Sequence, residues 1–197
     1  ISRIGAGGDL SVKKELRDCA MPMTPHPTED IQDAKVLMTL ETYWRALAVS
    51  RRLPARTQVD PRDIDQALPY SMILEEVCSG IARIRVAGQK VASRFDFDTR
   101  GMPLSALFAP EASPRLQELT AEAFAQPALV SAPLTKGGEL LLLPLEDRFG
   151  APTRALCGVS FGTADGLLAF DPEHPLRIAP VDEALQNKRP TQRPALR

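Results

Sequence analysis

Residues Ile81–Ala87 alternate across the two sides of an extended chain, with Ala82, Ile84 and Val86 on one side and Arg83 and Arg85 on the other. A period of two sets one side against a core and leaves the other in water, so this run reads as a half-buried strand. Ser79-Gly80 just before it has turn chemistry, and residues 70–77 form a second extended run, which makes the pair a β-hairpin. Three more strand candidates lie at residues 128–134, 139–145 and 153–162. Gly137-Gly138 suits a turn between the first two, and Phe149-Gly150-Ala151-Pro152 one between the last two. In the final run Ala155, Cys157, Val159 and Phe161 share a face.

Helical periods occupy the rest. Leu37, Leu40, Trp44 and Leu47 recur at helical spacing, widened by Val36, Tyr43 and Ala48. Asp30 and Asp33 suit the start of that helix, Arg51-Arg52 suits its end, and Leu53-Pro54 stops it. Asp60-Pro61 opens a short helix through Ile64 and Leu68, ending at Pro69. After Gly88 come short helical pieces with Val91, Phe95, Leu104, Leu107 and Phe108. Ser113-Pro114 then starts a longer helix whose apolar face is Leu116, Leu119, Ala123 and Phe124. Hairpins on either side of a helical excursion predict an α+β domain: a five-stranded antiparallel sheet with helices on one face, preceded by an N-terminal amphipathic helix. The expected division is an irregular lead at 1–29, a helical segment at 30–69, the sheet domain at 70–162, and a proline-rich, basic, disordered tail at 163–197. Residues 1–20 read as an upstream or appended extension before Met21.

Composition narrows the function classes. The 24 basic and 25 acidic residues nearly cancel, so bulk charge argues for neither nucleic acid nor a membrane surface. No apolar run approaches the ~18 residues of a membrane-spanning helix. The residues before Met21 mix charges throughout and lack a secretory pattern, so the expected location is the cytoplasm. Cys19, Cys78 and Cys157 are widely spaced, with no CxxC pair, and read as reduced, buried thiols without a metal site.

Particular residues add a resemblance. Glu41-Thr42-Tyr43-Trp44-Arg45, Leu53-Pro54-Ala55-Arg56, Asp60-Pro61-Arg62-Asp63-Ile64 and Leu68-Pro69 follow one another before the first strand. Arg85-Val86-Ala87-Gly88 precedes Val91 and Phe95, then Gly101, Leu104, Leu107 and Phe108, and Leu140 to Leu145 follows Gly137-Gly138. In this order and spacing the chain, from Val36 to Gly162, resembles a bacterial family of short single-domain PAS-like proteins, PAS type 5. Asp96 departs from the pattern, since the family usually has glycine after the phenylalanine at the Phe95 position. The resemblance implies a PAS fold and a sensory or protein-interaction module, which binds a small ligand or acts by dimerising.

The candidate sites are weighed against plain structural roles. His26 and His174 lie in proline-rich flanks and read as solvated loop residues rather than haem ligands. The segment from Gln89 to Phe108 has no cysteine for a flavin adduct, so no cofactor is expected. No G-x-S-x-G motif occurs and the domain has no histidine to act as base, so no catalysis is expected either. Cys157 reads as a core thiol in preference to half of a redox pair with Cys78. Ile84, Val86, Phe95, Leu107, Leu142, Cys157 and Val159 are the expected apolar lining of a ligand pocket. Leu37, Leu40, Trp44 and Leu47 either pack on their own domain or form a homodimer interface. The tail from Lys188 to Arg197 has too few charges and no aromatic residue for a nucleic-acid arm. The expected function is a non-catalytic regulator in bacterial signalling that binds a small molecule, a signalling protein or both. The alternative is a ligand-free dimeric scaffold.

Overall fold

A strand that is apolar on both sides, as in the unbroken run Leu140 to Leu143, needs two surfaces to bury against, and that requirement sets the architecture. The computed structural model describes residues 27–48, 52–95 and 97–186. Its strands are β1 (Ser71–Cys78), β2 (Ile81–Ala87), β3 (Ala128–Pro133), β4 (Glu139–Leu145), β5 (Arg154–Ser160) and β6 (Arg177–Pro180). They form one antiparallel sheet in the order β2-β1-β5-β4-β3-β6. The α+β class and the antiparallel sheet are as the sequence predicts, with six strands instead of five.

The extra strand comes from the segment expected to be a disordered tail. Residues 177–180 pair with β3, and α4 (Val181–Gln186) follows, burying Val181 and Ala184. Four residues are too few to show a period, and Pro180 at the strand end suits an edge position. Residues 187–197 of that segment lie outside the described residues, as do Cys19, His26 and Asp96.

One face of the sheet carries the helical excursion: α2 (Gln89–Arg94), the 3-10 turn Leu104–Leu107 and α3 (Ser113–Ala125). Their apolar sides meet Met72, Leu74, Ile84, Leu140, Leu142, Ala155, Cys157 and Val159 in an inner core. The opposite face is covered as well, which the expectation of helices on one face did not include. There α1 (Pro27–Leu47) lies across β5 and β4, and Leu37, Leu40 and Trp44 are buried with Leu141, Leu143, Leu145 and Leu156. Leu47 packs half-buried on the same cluster.

This corrects the reading of Leu37, Leu40, Trp44 and Leu47 as a dimer interface. Their stripe is covered by the chain's own sheet, so a homodimer would have to use another surface. Gly158 makes the close approach possible: a Cβ there would stand 2.6 Å from both Leu37 Cδ2 and Leu40 Cδ1. Further along the helix the indole Nε1 of Trp44 donates to the Pro144 carbonyl at 2.8 Å. Glu41, one turn earlier, accepts from Arg45 at 2.7 Å and from Arg177 of β6 at 2.5 Å.

Two expected outcomes follow from this packing. Trp44→Ala should destabilise the fold by about 3–5 kcal/mol in denaturant unfolding, as for other large aromatic truncations. Trp44→Phe, which keeps most of the ring but leaves the Pro144 carbonyl unpaired, should cost about 1–3 kcal/mol. Neither variant should change the sedimentation of the folded species, whereas an interface residue would.

The second concerns acid. Burial alone would raise the Glu41 carboxyl, but hydrogen bonds from Arg177 and Arg45 outweigh it and hold the group below its ordinary 4.5. A depressed folded pKa contributes stability that is complete above the unfolded value and lost as pH falls through the folded one. Glu41→Gln should therefore be less stable than the parent at neutral pH, and the difference should shrink progressively below about pH 4.5 in urea titrations.

Candidate functional site

The seven residues expected to line a ligand pocket do not stay together. Ile84, Phe95, Leu107, Leu142, Cys157 and Val159 all join the inner core and are buried. Phe95 packs against Phe97 and Phe161 with ring centroids 5.6 and 6.5 Å apart. The complete burial of Cys157 pushes its thiol far above the ordinary cysteine value, which suits an inert core group. Cys78, expected to be buried, is exposed at the end of β1, and the two thiols are free.

Val86 departs from its group and is 48% exposed. The cause is a β-bulge. Ile73 pairs with Val86 but the next residue, Leu74, pairs with Ile84, so Arg85 is an extra residue in β2. Beyond that point the alternation inverts, and Val86 turns to the outer face alongside Ile73. A strict period of two carried through Ala87 places it on the wrong side of the sheet.

On that outer face Val86 lines a cleft of about 420 Å³. Its floor is the start of β1 with the end of β2, from Ser71 to Ile73 and Val86 to Gly88, with Leu156 of β5. Its other wall is the stretch from Arg56 to Pro69, which runs as consecutive 3-10 turns at Arg56–Gln58, Pro61–Ile64 and Leu68–Tyr70. The proline-rich sequence explains those turns: Asp60 caps Pro61–Ile64 by accepting from the Arg62 N–H at 2.9 Å, and Pro69 cannot extend a regular helix. Val59, Ile64, Leu68 and Ile73 give the cleft its apolar surface, and Arg56, Asp65 and Gln89 stand along it as the polar groups.

Two contacts hold the wall in place. Gly88 donates its N–H to the Ser71 carbonyl at 2.8 Å and brings the backbone of Leu68-Pro69 very close. The Tyr43 hydroxyl, on α1, accepts from the Asp60 N–H at 2.8 Å. Desolvation, the largest influence on that phenol, raises its pKa, so it stays neutral and able to both accept and donate.

Residues 32–160, well over half of the chain, match the family described as the PAS domain. The chain belongs to this family. No curated protein and no solved structure matches it. The matched span takes in most of α1, the 3-10 wall and β1 to β5 of this PAS domain, and stops short of β6. PAS domains are in general non-catalytic sensory or regulatory modules.

The remaining candidates are ordinary surface features. His174 is exposed, with Nδ1 2.9 Å from Asp171. Among the described residues no group of three or more His, Cys, Asp and Glu side chains could hold a metal ion, and no helix is long and apolar enough to cross a membrane. The cleft joins an apolar surface to the charged side chains Arg56 and Asp65. Sequence reasoning missed it because its lining comes from three separate stretches, although the run Pro61, Pro69 and Gly88 marked the backbone that shapes it.

The glycine provides a test of that shape. A Cβ on Gly88 would lie 2.1 Å from the Leu68 carbonyl oxygen and 2.5 Å from that of Pro69. Gly88→Ala should force the wall outward and cost about 1–3 kcal/mol, as overpacking generally does, in equilibrium unfolding. Ala87→Gly, beside it, serves as the control for backbone freedom.

Proposed function

We propose that this PAS domain is a non-catalytic regulator in bacterial signalling that binds a small molecule in the outer cleft and reports occupancy to a protein partner. The observation that carries this reading is the cleft itself. A volume of about 420 Å³ with an apolar lining and a few polar groups falls in the ~300–1,000 Å³ range common for small-molecule sites. The expected inner pocket is a less favourable place, because six of its seven residues are already buried in a contiguous core.

The route outward is α1. A molecule wedged between the 3-10 wall and the sheet presses on Ile64, which packs in the same cluster as Leu40 and Trp44. The same wall is tied to α1 by the Asp60 N–H, which donates to the Tyr43 hydroxyl. Differential contacts of this sort are what a ligand needs in order to shift a conformational equilibrium.

Native mass spectrometry of the freshly purified chain tests the reading. The wild type should carry a small-molecule adduct, and Val86→Trp, which fills the cleft from an exposed position, should lose it with unchanged circular dichroism. An adduct equally present on both proteins overturns the assignment to the cleft. A wild type with no adduct, recovered together with a partner protein, makes the chain the ligand-free scaffold.

A further inference from the structure

Arg56 gives the cleft a preference for one kind of molecule. Five arginines among the described residues are half-buried: Arg45, Arg56, Arg94, Arg154 and Arg177. Four of them meet a carboxylate: Arg45 and Arg177 share Glu41, Arg154 meets Glu75, and Arg94 lies 3.6 Å from Asp165. Arg56 has no such partner among the described residues. Its backbone is fixed, with the N–H donating to the Glu146 carbonyl at 2.8 Å and the carbonyl accepting from Val59 at 3.3 Å. Arg56 thus lines the cleft as a half-buried residue that forms no salt bridge among the described residues.

Asp65, the one carboxylate lining the same cleft, does not fill that role. It is exposed, and Oδ1 accepts from the Gln66 N–H at 2.6 Å, so its charge is met by water and by the local backbone. Val59, Ile64, Leu68 and Val86 line the same cleft as Arg56 and give it apolar surface. Partly desolvated cations favour an anion over water more strongly than exposed ones do, and guanidinium matches a carboxylate in two-point geometry.

We propose that the cleft takes an apolar monocarboxylate, with its carboxylate on Arg56 and its hydrocarbon on Leu68 and Val86. This inference rests on the cleft being the ligand site and adds the chemical class of its ligand. The class is a medium-length chain with one anionic end, as opposed to a cation, a neutral alcohol or a polyanion.

Calorimetric titration of the full chain with octanoate, 1-octanol and octylamine separates the two claims. Wild type should bind octanoate more tightly than 1-octanol, and octylamine most weakly. Arg56→Gln should weaken octanoate about tenfold, the loss expected for one charge-assisted hydrogen-bonded contact, and leave 1-octanol unchanged. Arg56→Lys should recover part of the octanoate affinity. Val86→Trp should reduce binding of both octanoate and 1-octanol. If octanoate and 1-octanol bind the wild type equally and Arg56→Gln changes neither, the carboxylate inference is wrong while the cleft remains the site. Preference for octylamine would make Asp65 the anchor and overturn it too. If none of the three probes binds the wild type, the cleft reading itself fails and the inference falls with it.

Discussion

Gly158 leaves a notch in the middle of the outer sheet face, and Leu37 and Leu40 of α1 fill it. Because β5 lies between β1 and β4, this contact sets the helix over the middle of the sheet. Trp44 then reaches the Pro144 carbonyl of β4, and Glu41 reaches Arg177 of β6. A side chain at 158 would push the Leu37 and Leu40 methyls out of that notch and force both leucines to repack between α1 and the sheet. The outer core is built around that close approach, with Leu37, Leu40 and Trp44 buried against Leu141, Leu143 and Leu156.

The sequence makes β1 to β5 legible to within a residue or two, because β1, β2, β4 and β5 carry either alternation or turn glycines at their ends, whereas β6 carries neither. What it says about faces is subtler. Leu140 to Leu143 is an unbroken apolar run, and such a run marks a strand buried on both sides. That was the available sign that a second layer covers the sheet, and the helix with the stripe Leu37, Leu40, Trp44 and Leu47 was the layer. An amphipathic stripe shows that a partner surface exists. It does not show whether that surface belongs to the same chain.

The cleft was hidden for a different reason. Its shape depends on the Arg85 bulge, which sends Val86 outward, and a bulge leaves no mark in a pattern of apolar and charged residues. It also depends on the backbone of Leu68-Pro69 resting against Gly88, a contact between positions twenty residues apart in the chain. Local rules report which residues form turns. They do not report which turn lies on which strand, and here that placement decides where the cavity opens and that Arg56 stands beside it.

The strengths of the ties on α1 bear on how a cleft ligand could be read out. Burial of Trp44 is worth about 3–5 kcal/mol against truncation, so a molecule in the cleft is poorly placed to undock the helix. The Tyr43 hydrogen bond to Asp60, by contrast, joins partly solvated groups and contributes on the order of 1 kcal/mol. Couplings between sites in regulated proteins are typically about 1–3 kcal/mol. The proposed signal therefore fits a shift of the 3-10 wall against a helix that stays docked. The surface that changes would be the edge where α1 meets residues 58–64, with Tyr43 at its centre, and the exposed outer side of the helix around Met38 would move little.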